Sequence, residues 1–462
     1  MKVKKGQLID VEIINMAFGG KGIAKIDGFT VFVDQAVTAD TATVRIVKKK
    51  KNYAEARIDT LHKSSPLRVE ARCRYSGFCG GCKWQFLDYR QQIQYKRQHV
   101  REALAHIGLI KDVDVRATIP SGKIFEYRNK MEFSCSERRW LLPEEMERDD
   151  LDRNFALGLH VPGTFYKVID TQACLLQPDL GNRILEDVRQ YIKNSDRPVY
   201  GLRSHEGFWR FVMLRHSSAY NQWMVNVITS SEDSGALVPL AHGLMEKYPE
   251  IASVVNNVTA RKAGIAVGEY EVPLAGEDHL KDAIESFEFM ISANSFFQTN
   301  TEGAGILYRQ AKEFADLHGH ETVLDLYSGT GTIAMFLSDS AARVIGIEQV
   351  ESAVKDAERN CRINGISNCS FIQGEMRECL PKLTDKPDVV VIDPPRTGMH
   401  KDVVKQVLDM APGRIVYVSC NPASLARDVG MMKETYRISA VQPVDMFPHT
   451  YHIESVACLD RI

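Results

Sequence analysis

The chain contains no apolar run of about 18 residues, the length a membrane-crossing helix requires, which excludes a helical membrane protein. Its start, MKVKKGQLIDVEI, is basic but lacks an apolar segment of signal-peptide length, so export is not expected and a cytoplasmic location is. Ten cysteines in 462 residues are too sparse for a disulfide scaffold. In a reducing compartment they read instead as metal ligands, catalytic thiols or core filler. Internal repeats and low-complexity tracts are missing, which sets aside solenoids and disordered tails. A net charge of −2 rules out a uniformly basic protein, yet it conceals an asymmetry. Residues 1–104 carry 20 Lys and Arg against 10 Asp and Glu, leaving 38 against 50 for the remainder. A basic front end on an acidic body points to contact between that front end and a polyanion.

What is present is a globular composition, 44% hydrophobic and 26% charged, in a chain too long for one core. Two or three domains are therefore expected. Residues 1–62 read as short alternating strands at 8–14, 19–22, 30–33 and 42–47, a spacing that suggests a small β-barrel. The run GQLIDVEIINMAFGGKGIAKIDGFTVFV, followed by VRIVKKKKNYAEARI, resembles a TRAM domain, an oligonucleotide-binding-type barrel found on RNA-modifying enzymes. Apolar spacing at Ile93, Val100, Leu104 and Ile107 predicts a helix over 88–107, expected to pack on the C-terminal part. Residues 123–287 mix strand and helix patterns, with an acidic surface insertion at 144–152. From 288 onward, apolar runs at 322–326, 343–347, 369–372, 389–392 and 415–418 alternate with helical stretches. That alternation predicts βαβ units and a parallel sheet covered on both faces. Two last strands, near 440–443 and 453–459, are close enough in sequence to form an antiparallel edge.

The segment VLDLYSGTGTIA places Asp325 near the end of the first of these strands, with Gly329 and Gly331 in the turn after it. Small residues there let the backbone approach a ligand, and a helix begins immediately afterwards. The next strand ends in Glu348, 23 residues beyond Asp325, where a carboxylate can accept both hydroxyls of a ribose. Gly329, Gly331 and Ala334 also satisfy the dinucleotide fingerprint, so a nicotinamide dehydrogenase competes on this motif alone. Against it stand the DLYSGTG form, with an acid four residues before the first glycine, and the ends of the fourth and fifth strands. The DLYSGTG form resembles motif I of the class I methyltransferases. There the acid and the glycine loop hold the methionine part of S-adenosylmethionine, and the second acid holds its ribose.

The fourth strand ends in Asp393, Pro394, Pro395 and Arg396. Two prolines after an acid stop a strand and stiffen the loop that meets a substrate. Arg396 stands where amine-methylating enzymes place an aromatic, which argues against amine methylation. The fifth strand ends in Ser419, Cys420, Asn421 and Pro422. Carbon 5 of uracil is a poor nucleophile, but a thiolate adding at carbon 6 turns the ring into an enolate able to attack a methyl sulfonium. Cys420, at the carboxyl edge of a parallel sheet beside the cofactor pocket, suits that role. Cys361, Cys369, Cys379 and Cys458 read as packing. The carbon 5 proton then needs a base. Glu454 begins the last strand, and an antiparallel course would start it at the edge that holds Asp393 and Cys420, which favours it over Asp445.

Taken in order, SANSFFQTN, DLYSGTG, IDPPRTG, SCNP and HIES resemble the RNA (uracil-5-)-methyltransferase family over most of the last 170 residues. The resemblance implies cofactor contacts at Gln298, Tyr327, Glu348 and Asp393, a nucleophile at Cys420 and a base at Glu454. Asp325, Gly329 and Gly331 complete the expected S-adenosylmethionine site. Upstream, Cys73, Cys79 and Cys82 supply three thiols from one loop, and Cys135 or Cys174 would close a site for zinc or an iron–sulfur cluster. The stretches CRYSGFCGGCKWQFLDYRQQIQYK and QACLLQP resemble the [4Fe–4S] segments of the bacterial 23S ribosomal RNA uracil-5-methyltransferases. That resemblance implies a structural [4Fe–4S] cluster on Cys73, Cys79, Cys82 and Cys174.

The expected fold is therefore α/β in three parts. These are an OB-like β-barrel of TRAM type over 1–62, a mixed α+β iron–sulfur and RNA-binding region over 63–287, and a class I, Rossmann-like methyltransferase domain over 288–462. The expected activity is methylation of carbon 5 of a uridine in RNA by a monomer, with 23S rRNA ahead of tRNA as partner. Cytosine C5 methylation by the same thiol logic is one alternative. An RNA-binding assembly factor with a vestigial pocket is another, against which the intact Cys420, Glu454 and glycine loop weigh.

Overall fold

The computed structural model describes residues 3–262 and 264–462. Near the N-terminus, every second residue of short β-branched segments is apolar, and six strands result: β1 (Leu8–Glu12), β2 (Asn15–Met16), β3 (Gly22–Ile26), β4 (Phe29–Asp34), β5 (Thr41–Lys49) and β6 (Tyr53–Lys63). Their inward residues, among them Val11, Ala24, Val31, Val44 and Ala54, share one core. The hydrogen-bonded order is β1-β5-β6-β4-β3-β2, and β1 folds back near β3 across that core. Among the described residues the ladder does not close, which corrects the expected barrel to an open, curled sheet. Ile13 commits its N–H and C=O to Asp40 and Ala39 of a loop, which interrupts the β1–β5 ladder, and Ile14 N–H then donates to Ile23 O on β3 as β2 begins. The strand expected at 19–22 is also corrected. Gly19 and Gly20 have φ of 100° and 88°, a left-handed turn, and the strand begins at Gly22. Buried Asp40 accepts hydrogen bonds from Val37 N, Ser65 N and the Arg68 guanidinium, fastening this sheet to the segment that follows.

Helix α1 (Tyr89–His106) is capped by Asp88, whose side chain accepts from Arg90 N. Its buried residues Gln92, Lys96, His99 and Val100 recur at helical spacing. The central sheet contains β7 (Lys130–Ser136), β8 (Ala156–His160), β9 (Val168–Asp170), β10 (Trp209–Ser217), β11 (Gln222–Thr229), β12 (Ile251–Val258) and β13 (Tyr270–Gly276). Its order is β13-β12-β11-β10-β7-β8-β9, with α2 (Asp179–Lys193) and α3 (Ser234–Lys247) packed on it. A hairpin, β14 (His279–Ile284) and β15 (Phe287–Ser292), and helix α4 (Thr301–Ala315) lead into the last sheet.

That sheet alternates strand and helix: β16 (Thr322–Leu326), α5 (Thr332–Leu337), β17 (Arg343–Glu348), α6 (Glu351–Ile363), β18 (Cys369–Gln373), α7 (Met376–Cys379), β19 (Val389–Ile392), α8 (Lys401–Met410), β20 (Arg414–Ser419) and α9 (Pro422–Met432), then β21 (Tyr436–Val444) and β22 (Glu454–Arg461). Odd and even residues of the inner strands enter two separate cores, Val323 and Val391 on one face, Leu324 and Val390 on the other. Burial on both faces is why these strands read as unbroken apolar runs. Helix α1 packs along α9 on one side of the sheet. The order β18-β17-β16-β19-β20-β22-β21 reverses direction beside β16, where a doubly wound sheet opens a crevice at the carboxyl ends of its strands. Among the described residues no helix is long and apolar enough to cross a membrane.

Candidate active site

The crevice is built from four strand ends. Beyond β16, Tyr327 has φ 63°, a left-handed conformation unusual for a side-chain-bearing residue, and Gly329 and Gly331 follow at 55° and 79°. The Glu348 carboxylate at the end of β17 accepts Gly329 N–H at 3.0 Å and Val350 N–H at 2.8 Å, so it braces the glycine turn. Beyond β19, Asp393 donates its N–H to Leu326 O. Beyond β20, Asn421 caps α9 by accepting from Ala423 N, and its Nδ2 donates to Arg396 O at 3.0 Å. That bond ties the Cys420 loop to the loop of Asp393.

The last strand completes the site. β22 runs antiparallel to β20 with Ser419 opposite Ser455, so the next pair outward is Cys420 and Glu454. The two open onto one cavity of about 760 Å³, which Gln298, Asp325, Tyr327, Gly329, Glu348 and Asp393 also line. Gly331 does not line it. A Cβ there would fall 2.9 Å from Ala357 Cβ and the Phe371 ring, so its smallness serves the packing of the turn on α6 and β18.

The electrostatics are those of a site short of positive charge. Asp325 is fully buried, and apart from the Ala334 backbone its carboxylate has no hydrogen-bond partner among the described residues. Burial, then Asp393 and Glu348, hold its pKa well above the usual carboxylate range. Burial lifts Asp393 to about 7. Burial and Asp393 raise Glu454 as well, against the opposing pull of Arg396 and Lys96. The Cys420 thiol is pushed up to about 11, first by burial and then by Glu454 and Asp393. Mutually repelling buried carboxylates favour a cationic ligand. The sulfonium and ammonium of S-adenosylmethionine meet that need, and the cavity and glycine turn suit its remaining parts.

Several lining residues are not among those expected from the sequence. Arg128, Phe447, Thr450 and His452 face the cavity. The Arg128 Nε is buried without a partner, and burial brings His452 down to about 4, so its imidazole is neutral. The position of His452 beside Glu454 in HIES was a usable hint; nothing in the sequence around Arg128 distinguished it. Asp445, the alternative base, lies outside the cavity. Its carboxylate accepts from buried Lys96 Nζ at 2.6 Å, from Tyr89 OH at 2.9 Å and from Phe447 N at 3.1 Å. Lys83 and Trp84 donate their N–H groups to His449 O in the same segment. The chain leading into Glu454 is thus held by α1 and by the end of the cysteine loop.

The four cysteines named from the sequence approach one another around that loop. Burial is the main cause raising each thiol, and Cys73, Cys79 and Cys82 each contribute to raising Cys174, to about 12. Cys79 Sγ accepts the Gly81 N–H at 3.3 Å. Cys135 sits apart on β7, with Arg189 as its charged neighbour. Among the described residues, no three His, Cys, Asp or Glu stand in metal-holding geometry. Gly80 and Gly81, between Cys79 and Cys82, line the main cavity.

The family model described as tRNA (Uracil-5-)-methyltransferase matches residues 276–462, and the TRAM domain model matches residues 2–58. An uncharacterized RNA methyltransferase of Bacteroides thetaiotaomicron is 42% identical over 456 residues, covering 96% of this chain and 100% of the relative. One from Chlorobaculum tepidum is 42% identical over 473 residues, covering 100% and 98%. The crystal structure of Pyrococcus abyssi tRNA (uracil-54, C5)-methyltransferase with S-adenosyl-L-homocysteine superposes with a TM-score of 0.77 at 29% identity, over 97% of this chain and 99% of that one. Identity at this level along the whole chain, with a cavity built at the sheet's switch point, makes the protein a member of the S-adenosylmethionine-dependent RNA (uracil-5-)-methyltransferase family.

Proposed function

We propose that this enzyme methylates carbon 5 of one specific uridine in RNA through a covalent adduct on Cys420, with Glu454 as the base. The observation that carries the reading is the antiparallel register that sets Cys420 beside Glu454 at the rim of an anionic cavity. S-adenosylmethionine, when bound, supplies the methyl group as an electrophile. The Cys420 thiolate adds to carbon 6 and pushes the ring electrons towards carbon 5, which takes the methyl. Glu454 removes the carbon 5 proton, and its raised pKa makes it a stronger base than an ordinary carboxylate. The electrons of the broken C–H bond restore the ring double bond and expel the Cys420 sulfur. Gln298, Asp325, Tyr327, Gly329, Glu348 and Asp393 hold the cofactor.

Ribosomal RNA of the large subunit is the partner we favour, on the two cysteine segments. A tRNA target is the second reading, favoured by the Pyrococcus abyssi neighbour, which is named for one. Cys73, Cys79, Cys82 and Cys174 would hold a [4Fe–4S] cluster, supported by their convergence and by the Gly81 N–H directed at Cys79 Sγ. Methyl transfer by this route needs no electron, so the cluster's work would be to shape the loop that reaches His449 and the cavity. Mapping 5-methyluridine in ribosomal and transfer RNA from cells with and without the gene tests the reading. Loss of one 23S site is expected; unchanged 5-methyluridine in both pools would overturn it.

A further inference from the structure

The hairpin between β8 and β9 ends in a tight turn closed by Val161 N to Lys167 O at 3.0 Å and by Thr164 Oγ1 to Val161 O at 2.9 Å. Gly163 occupies the left-handed position with φ 70°. Phe165 and Tyr166 project from this turn, 67% and 37% exposed, with ring centroids 5.3 Å apart and nearly perpendicular. Trp140, also 37% exposed, stands alongside, its backbone N–H bonded to Val168 O on the returning strand. Phe165 is mostly exposed, and Trp140 and Tyr166 each leave over a third of their surface open, a cluster of exposed aromatic surface that marks an interaction site.

The charged groups that lie over these rings are both cations. Lys167 Nζ sits 3.8 Å from the Trp140 ring centroid, and the Arg203 guanidinium 4.4 Å from that of Tyr166. Neither cation is ion-paired among the described residues. The nearby acidic stretch is largely neutralised within the protein: Glu144 pairs with Arg74, Glu145 with Arg139, Asp150 with Arg148 and Asp152 with Lys193. The turn also lies next to the cavity. Its first strand ends at His160, whose carbonyl accepts from Gly80 N at 2.8 Å, and Gly80 lines the cavity wall.

We infer that Trp140, Phe165 and Tyr166, with Lys167 and Arg203, form a stacking platform for unpaired RNA bases that flank the target nucleotide. Exposed rings next to unpaired cations are the chemistry of a single-stranded nucleic-acid groove: rings stack on bases of any identity and the cations meet phosphates. The inference rests on RNA as the substrate and adds a contact outside the cavity that takes the target base. It makes RNA affinity depend on unpaired nucleotides beside the uridine and not on cofactor binding.

The four tryptophans make the test direct, since Trp84, Trp209 and Trp223 are at most 1% exposed and Trp140 alone can meet a base. Titrating the full-length protein with a roughly 12-nucleotide oligouridylate should quench tryptophan emission, and Trp140→Phe should remove most of that quenching. Phe165→Ala and Tyr166→Ala should each weaken oligonucleotide binding on the order of tenfold, with S-adenosylhomocysteine affinity unchanged. Binding of wild-type strength in the Phe165→Ala/Tyr166→Ala double variant, or oligonucleotide binding with no change in Trp140 emission, overturns the platform. Neither result touches the proposed chemistry. Conversely, a protein that binds and quenches yet transfers no methyl to any cellular RNA keeps the platform and loses the proposed function.

Discussion

Replacing Glu454 by Gln separates the two halves of the proposed reaction. Glu454 is 6% exposed and faces Cys420 across the end of the β20–β22 ladder. Gln keeps the shape and removes a carboxyl whose burial already disfavours its charge, so the fold should tolerate it. With the thiol at about 11, roughly one Cys420 in a thousand is thiolate at pH 8. Glu454 is one of the two carboxylates that raise that pKa, so the variant should add to carbon 6 at least as fast as wild type. Each unit by which the pKa falls multiplies the thiolate about tenfold. Proton removal from carbon 5 has lost its base, a loss worth about 10²- to 10⁴-fold in rate. Incubation with substrate RNA and methyl-labelled S-adenosylmethionine should therefore give a labelled protein–RNA species that survives a denaturing gel. Wild type should release its RNA, and Cys420→Ala should form no such species. Release of methylated RNA by Glu454→Gln at the wild-type rate would refute the assignment. The neutral His452 imidazole and Asp393, which share the cavity, would then be the next candidates, because Asp445 is already engaged by Lys96.

Three further outcomes are expected. The folded-state pKa of Asp325 lies above its unfolded value, so the stability linked to it is present at acid pH and lost as pH rises through the folded pKa. Asp325→Asn should therefore raise the melting temperature at pH 8, with the gain vanishing towards pH 4, while calorimetry shows weaker binding of S-adenosylmethionine; an unchanged affinity would remove Asp325 from the cofactor site. Lys96→Met leaves the Asp445 carboxylate buried without its cation and should cost about 3–5 kcal/mol by urea denaturation, most of it recovered when Asp445→Asn is added. In anaerobically purified protein, Cys174→Ser should lose iron and Cys135→Ser should retain it, and equal iron in the two would reject Cys174 as the fourth ligand.

The catalytic half was legible because its signals are local. Strand 389–392 is readable to the residue, since a parallel strand buried on both faces is an unbroken apolar run, and 322–326 is readable as well although Thr322 and Asp325 interrupt it. Asp325, Glu348, Asp393 and Cys420 each close a strand, and a doubly wound sheet collects strand ends at one edge. The N-terminal part was less readable. Tyr53–Lys63 does not read as a strand because its second half is exposed and polar, and the double glycine at 19–20, which reads as strand, makes the turn before one.

By itself, then, the sequence determined the alternating sheet, the order of its motifs and the residue types brought to its edge. The tertiary structure decided what depends on pairs far apart in the chain. Glu454 meets Cys420 through a ladder register, and Asp445 is excluded by a lysine 349 residues away. Gly331 packs against Ala357 and Phe371 instead of lining the cavity, and the N-terminal chain crosses from β5 to β3 where Ile13 bonds to a loop. Local pattern encodes which face of an element is buried, but it does not encode which distant side chain arrives to meet that face. Charge compensation in a buried site is settled only by that meeting.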